Sequence, residues 1–378
     1  MIKILFILEN LGGGGAERVL PNLLKYLDRK KYEATVLTLF SDGVNQQRLP
    51  KHVNHVCRKA LYFRGITYLI KFLPPALLYN YYVKKALPKL QFDLIVAYMH
   101  GLPTKILLGA GNQKKITWVH ANMLGGYKPH FPRFFLNKRN MRQSLEKLDA
   151  IVGVSEQIRS SFRKFTEIKK EIHLIHNTND TDEIQHRASE FIPYKQDKNI
   201  VNIVSVGHLH KVKGNERLLQ AAKTLRDEGF SFRLHILGEG AQRPELEAYI
   251  TEHGLQSWVE LPGFIDNPYP YIKHADLYIC PSYSEGFSTA VSEAVILGVP
   301  VISTLVSGAT EILGEQQEYG MICENSNAGI CNALRDMLAK PDLRAHYAKM
   351  SRQRSIFFSP ERTVKAVENL FDQITKSK

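Results

Sequence analysis

The stretch Cys280-Pro281-Ser282-Tyr283-Ser284-Glu285-Gly286-Phe287-Ser288-Thr289-Ala290-Val291-Ser292-Glu293-Ala294 decides how this chain is read. Tyr278-Ile279-Cys280 ends an apolar run that reads as a buried strand. Ala290 to Leu297 reads as an apolar helix, closed by Gly298 and Pro300. Glu285 therefore falls in the turn between them, and Glu293 about one turn inside the helix. Two carboxylates at the carboxyl end of a sheet, beside a helix N-terminus, suit a ligand carrying both hydroxyls and phosphate. A sugar nucleotide has that chemistry.

Outward from this stretch, short apolar strands alternate with helices twice over. In the first half the strands are expected at Lys3–Leu8, Ala34–Leu39, Asp93–Ala97, Ile116–His120, Ala150–Val154 and Ile172–Ile175, with helices such as Glu17–Leu27 and Lys138–Leu148 between them. The strands are continuous apolar runs, the pattern of a parallel sheet covered on both faces. Residues 180–198 are polar, lose the periodicity and contain Pro193; they read as an interdomain linker. A second series starts at Asn202–Gly207 and continues with Phe232–Leu237, Asp276–Cys280 and Val299–Ser303, with helices Glu216–Arg226 and Ala328–Leu338. Two closing helices are expected at 341–357 and 360–376, hinged at Ser359-Pro360. The fold class is α/β, with two Rossmann-like domains whose parallel sheets face each other across a cleft. The first domain takes residues 1–190 and the second 198–358, and the terminal helix 360–378 is expected to pack back on the first.

A chain of 378 residues with 44% hydrophobic residues suits two domains of about 180 residues each. Cys57, Cys280, Cys323 and Cys331 show no CxxC spacing and read as reduced, buried thiols of a cytosolic protein. The run Ile2 to Leu8 is too short for a signal peptide, and no stretch is apolar for long enough to span a membrane. Charge is uneven: residues 1–190 hold 30 Lys and Arg against 15 Asp and Glu, and the remaining 188 hold 20 against 22. The basic half carries no zinc-finger spacing and no RNA-binding aromatic motif, so nucleic acid is not the expected partner. It does interleave aromatic and cationic residues over 60–75, over 79–85 and over 131–139, a mixture that suits the headgroup layer of an anionic membrane or, more plainly, a solvated basic face over core aromatics.

A glycine turn follows the first strand of each half. Gly12-Gly13-Gly14-Gly15-Ala16-Glu17-Arg18 lets backbone N–H groups approach a ligand. It lacks the usual dinucleotide setting, because Asp42 lies beyond the second strand in a polar loop. Gly207-His208-Leu209-His210-Lys211-Val212-Lys213-Gly214 concentrates cations that can neutralise a pyrophosphate. His208 and His210 belong to no convincing zinc set. His120 ends a strand at the carboxyl edge, where it can orient a sugar hydroxyl or serve as a hydrogen-bonded support. Ser155 reads as a helix cap.

With these motifs in place the chain resembles, nearly end to end, the retaining glycosyltransferases of family 4, which have the GT-B fold and include bacterial polysaccharide enzymes. The resemblance rests on Gly14-Gly15-Ala16-Glu17-Arg18, Val206-Gly207 with Lys213-Gly214, Leu237-Gly238-Glu239-Gly240, Gly263-Phe264, Glu285-Gly286-Phe287 with Glu293-Ala294, and Gly298-Val299-Pro300. It implies a nucleotide-diphospho-sugar donor, with UDP as the expected nucleotide. It further implies that Glu293 binds the ribose and Glu285 the transferring sugar, and that the N–H groups of Gly286, Phe287 and Ser288 hold sugar hydroxyls and phosphate. Lys213 is then set against the pyrophosphate, Gly15 approaches it from the first domain, His120 lies near the sugar 6-hydroxyl, and the base packs near Gly238 and Phe264. His208 stands where the family usually has arginine, so it contributes charge only when protonated. No cofactor and no metal are implied.

The acceptor implied for the basic, aromatic first half is a saccharide carried on a lipid, reached from the inner face of the membrane. Other readings remain: a different GT-B enzyme such as a nucleotide-sugar epimerase, which releases nucleotide without an acceptor, or a phosphorylase, whose pyridoxal-phosphate lysine motif is not evident. A non-catalytic sugar-nucleotide or membrane-binding protein is the alternative of another class.

Overall fold

A computed structural model describes residues 1–60, 69–124, 131–195 and 197–376. The chain forms two compact units, residues 1–178 with 360–378 and residues 179–359. In the first, the described strands are β1 (Ile2–Leu8), β2 (Tyr32–Thr38), β3 (Asn54–Cys57), β4 (Leu94–Ala97), β5 (Lys114–Val119), β6 (Ala150–Gly153) and β7 (Ile172–Leu174). They pair in parallel in the order β3-β2-β1-β4-β5-β6-β7. In the second, β8 (Val201–Val206), β9 (Phe232–Leu237), β10 (Val259–Gly263), β11 (Leu277–Cys280), β12 (Val301–Thr304) and β13 (Met321–Cys323) pair in parallel as β10-β9-β8-β11-β12-β13. These are the two Rossmann-like parallel sheets expected of the GT-B fold.

The continuous apolar runs are explained by burial on both faces. Ile4 to Leu8 of β1 have no exposed surface. The terminal helix Pro360–Lys376 belongs to the first unit, where fully buried Phe371 meets the rings of Phe6, Tyr32 and Trp118 at centroid distances of 6.4, 5.9 and 6.2 Å. Truncating such a side chain typically costs about 3–5 kcal/mol. A polar latch flanks it, with the Tyr32 hydroxyl donating to Asp372 Oδ1 at 2.6 Å and Lys31 paired with the same carboxylate. In the second unit, Leu218, Leu219 and Leu225 of the helix Asn215–Asp227 join Ile330, Leu334 and Met337 of the helix Asn327–Ala339 in one core.

The structure also holds three strands that the apolar pattern did not mark: β3, β10 and β13, each at a sheet edge. The polar stretch after residue 179 is not featureless. Asp180 Oδ1 accepts from the Glu183 N–H at 3.1 Å and caps the helix Thr181–Arg187, and Gln185 Nε2 reaches the Ile296 carbonyl at 2.6 Å.

Of the aromatic and basic runs, Tyr62, Phe63, Arg64 and Tyr68 lie outside the described residues. Within the run 131–139, Phe131, Phe134 and Phe135 are buried in the core, whereas Leu136, Lys138 and Arg139 are exposed. Tyr79 and Tyr82 are buried as well, whereas Leu69, Phe72, Leu73, Leu77 and Tyr81 are exposed. Among the described residues no helix is long and apolar enough to cross a membrane.

Candidate active site

Strand order reverses between β8 and β11 in the second unit, the position at which open parallel sheets bind ligands beyond the carboxyl ends of their strands. The loop after β8 runs from Gly207 to a short turn Lys211–Lys213, and ends at Gly214, whose φ is +67°. A Cβ at Gly214 would strike the Pro281 carbonyl oxygen, so only glycine lets the two loops touch. The contact brings Lys213 to the second loop, where its Nζ donates to Glu285 Oε1 at 2.6 Å. The Ser282 hydroxyl donates to the same oxygen, also at 2.6 Å.

Burial works against the Lys213 ammonium, but the Glu285 charge and hydrogen bond, with a smaller part from Cys280, outweigh it and raise the pKa above the ordinary lysine value. The Cys280 thiol is pushed up by burial and by Glu285. Glu293 is buried in the helix Thr289–Ile296, which Ser288 caps, and accepts from the Tyr269 hydroxyl at 3.4 Å. The Tyr278 hydroxyl is pushed well up, chiefly by burial and then by the negative charges of Cys280, Glu293 and Glu285.

Behind this pair the glycines close-pack. Gly238, at φ +144°, leaves no room for a Cβ against the Gly207 carbonyl, and its N–H donates to Gly263 O at 2.8 Å. Phe264 and His208, which follow Gly263 and Gly207, are exposed. The structure thus gathers Lys213, Glu285, Gly286, Phe287, Ser288 and Glu293 on two adjoining loops and one helix, with His208, Gly238 and Phe264 at the neighbouring strand ends.

Gly15 and His120 belong to the first unit, which has its own reversal of strand order between β1 and β4. Gly15 is exposed at the start of the helix Gly15–Tyr26. The loop before it is held by Asp42 and by two residues not singled out from the sequence, Asn10 and Asn45: Leu11 N–H donates to Asp42 O at 2.9 Å, Asn10 Oδ1 accepts from Gly12 N–H at 2.7 Å, and Asn45 bonds the Gly12 carbonyl. His120 follows β5. Its Nε2 lies 2.9 Å from Tyr98 O, and because a carbonyl only accepts, Nε2 carries the proton and Nδ1 its lone pair. Its backbone N–H points at His100 Nδ1, 3.5 Å away. Burial, and then the neighbouring His100, push His120 down to about 3; burial pushes His100 down to about 4. Both imidazoles are neutral near pH 7.

Two family matches cover almost the whole chain. Residues 13–183 match the family described as Glycosyltransferase Family 4, and residues 185–354 match Glycosyl transferases group 1. The chain belongs to the GT-B glycosyltransferases. This glycosyltransferase is 29% identical over 376 residues to N-acetylgalactosamine-N,N'-diacetylbacillosaminyl-diphospho-undecaprenol 4-alpha-N-acetylgalactosaminyltransferase of Campylobacter jejuni, covering 95% of this chain and 96% of the relative. Among solved structures, the glycosyltransferase is similar in fold to sucrose-phosphate synthase of Thermosynechococcus elongatus (TM-score 0.79, 19% identity, all of both chains). HepE of Anabaena, crystallised with UDP and glucose, is also similar (TM-score 0.74, 19% identity, 98% and 100% of the two chains).

Sequence reasoning missed Arg217, Thr304 and Asn325, which hold the Glu285 loop, and Tyr269 and His100, which touch Glu293 and His120. Ser282 was within reach, since it stands three residues before Glu285 in the same turn.

Proposed function

We propose that this enzyme moves a hexose from a UDP-sugar to a lipid-linked saccharide, with retention of configuration, in the synthesis of a bacterial surface polysaccharide. The Lys213–Glu285 contact beneath the β8 and β11 loops carries the reading, because it puts a cation and a hydroxyl-binding carboxylate side by side. Lys213 has three N–H donors, so it can keep Glu285 and still meet a diphosphate. Glu293 takes the ribose hydroxyls, exchanging the long bond from Tyr269. Glu285 and the N–H groups of Gly286, Phe287 and Ser288 take the sugar and its phosphate. Gly238 and Phe264 border the base, and His208 adds charge when protonated. In the first unit, Gly15 serves the diphosphate, and the His120 Nδ1 lone pair accepts from a sugar hydroxyl.

The step forms a bond from the acceptor oxygen to the anomeric carbon as the bond from that carbon to the diphosphate breaks. The acceptor proton passes to the departing phosphate oxygen, and Lys213 offsets the charge that grows there. UDP and glucose bound to HepE support the donor class, and the undecaprenol-linked acceptor in the name of the Campylobacter relative supports the acceptor class. A lipid-borne acceptor calls for enzyme at the inner face of the membrane. Exposed Leu69, Phe72, Leu73, Leu77 and Tyr81 near Lys71, Lys84 and Lys85 suit that location.

The test supplies purified enzyme with UDP-hexoses, with and without an undecaprenyl-diphosphate-linked saccharide, and follows released UDP and the glycolipid. Glu293→Gln is expected to weaken UDP binding in calorimetry, and Glu285→Gln to slow transfer roughly ten- to hundredfold, the worth of one charged hydrogen bond of about 1.5–3 kcal/mol. Unchanged binding and turnover in both variants would remove these residues from the site. Nucleotide release without acceptor would favour the epimerase reading.

A further inference from the structure

We propose that Arg217 is a positioning residue that fixes the turn bearing Glu285, and that through this turn the enzyme distinguishes a sugar nucleotide from the bare nucleoside diphosphate. The proposal rests on the donor reading above. Arg217 is the third residue of the helix Asn215–Asp227, and only 1% of its surface is exposed. A buried guanidinium is costly unless its charge is met. Among the described residues no carboxylate pairs with it. Its charge is directed at the Glu285 turn instead: one Nη bonds the Pro281 carbonyl, the other donates to Asn325 Oδ1 at 2.8 Å, and the guanidinium carbon stacks 3.6 Å from the Tyr283 ring centroid.

Asn325 relays the grip. Its Nδ2 donates to the Tyr283 carbonyl at 3.1 Å, and Thr304 Oγ1 donates to the Ser282 carbonyl at 2.6 Å. Three successive carbonyls, those of Pro281, Ser282 and Tyr283, are therefore held from three different elements: the helix Asn215–Asp227, the end of β12 and the turn after β13. The Tyr283 N–H donates to Val212 O at 2.8 Å, which couples the turn to the residue before Lys213. Arg217 is the hub, because it touches Pro281, Tyr283 and Asn325 at once. Glu285 lies two residues beyond this anchored backbone, so the direction of its carboxylate follows from the grip. Glu293, in the next helix, does not depend on it. Releasing Arg217 should disturb the part of the site that meets the sugar and leave the part that meets the nucleoside.

The experiment compares Arg217→Met, Arg217→Lys and Asn325→Ala with wild type in UDP affinity, UDP-sugar turnover and Tm, with Glu285→Gln as reference. Arg217→Met should lower kcat at least about tenfold while UDP affinity stays within about twofold. Arg217→Lys should recover part of the loss, since lysine keeps the charge but not the fork or the stack. Asn325, exposed at the surface, should give a smaller loss of the same kind without a fall in Tm. Loss of UDP affinity and Tm in parallel with turnover would reduce Arg217 to a structural role. Normal turnover in Asn325→Ala and Arg217→Met, with Glu285→Gln impaired, would overturn this inference alone. Silence of Glu285→Gln as well would overturn the donor reading beneath it.

Discussion

Glu285 Oε1 accepts from both the Lys213 ammonium and the Ser282 hydroxyl, each at 2.6 Å, while Oε2 accepts no hydrogen bond among the described residues. Oε1 is held by these two donors, which leaves Oε2 for the sugar hydroxyl in the donor reading proposed above. Removing the cation should therefore cost more than removing the hydroxyl. Lys213→Gln is expected to lower kcat/KM by roughly ten- to hundredfold and to weaken UDP binding, whereas Ser282→Ala should leave UDP affinity unchanged. Equal effects of the two on UDP affinity would contradict this division of labour.

The same pair has a pH signature at the alkaline end. The Lys213 pKa is raised in the folded chain, so its contribution to stability is complete below the ordinary value of 10.5 and is lost as pH rises through the folded value. Urea unfolding of wild type and Lys213→Gln at pH 8 and at pH 11 should show their difference shrinking at the higher pH. A constant difference would show that the ammonium charge contributes nothing to it.

At the acid end, His100 and His120 act in the opposite sense. Their folded values, about 4 and about 3, lie below the ordinary 6.5, so the unfolded chain binds protons that the folded one refuses. Stability they lend above pH 6.5 is lost as pH falls towards those values, at up to roughly 1.4 kcal/mol per pH unit for each histidine. The double variant His100→Asn with His120→Asn should lose less stability between pH 6.5 and 4 than wild type, measured by denaturant titration. Parallel curves would place the acid sensitivity elsewhere.

The glycines of the second unit allow a sharper contrast. Gly229 and Gly238 both have positive φ, +86° and +144°, but a Cβ on Gly229 meets nothing within 4 Å, whereas one on Gly238 runs into the Gly207 carbonyl. Gly229→Ala should cost only the backbone strain, roughly 1–2 kcal/mol. Gly238→Ala should cost more and should also weaken UDP binding, because the turn after β8 must shift. Calorimetric unfolding and UDP titration of both variants test this, and similar losses from the two would refute it.

Much of this architecture was legible because it is local. Buried strands such as β1 and β11 are continuous apolar runs, and the glycine turns announce where the chain must bend. The edge strands β3, β10 and β13 were not, since Asn54–Cys57 is half polar, Val259–Gly263 contains Pro262, and Met321–Cys323 is only three residues long. The site divides along the same line. Glu285, Glu293 and Lys213 stand out within short motifs, whereas Arg217 reads as an ordinary polar residue in the first turn of a helix. Its partners lie 64 and 108 positions away, and nothing near it in sequence indicates that they will meet.

The last prediction concerns the membrane. Phe72 is 65% exposed and Leu77 57%, and cations flank the exposed rings: Lys71 Nζ lies 4.8 Å from the Phe72 ring centroid and the Arg58 guanidinium 4.8 Å from that of Tyr81. Exposed apolar groups provide shallow insertion, and each nearby Lys or Arg adds about 1 kcal/mol at an anionic surface, a part that salt screens. Wild type should float with vesicles containing anionic lipid, bind neutral vesicles less, and be released as salt rises. Lys84→Glu with Lys85→Glu should weaken the salt-sensitive part, and Phe72→Ser with Leu77→Ser should weaken binding at every salt concentration. Neither change should alter UDP affinity, because none of the four residues is assigned to the nucleoside or to the diphosphate. If wild type fails to float with anionic vesicles even at low salt, the exposed face is not a membrane contact and a water-soluble acceptor becomes the better reading.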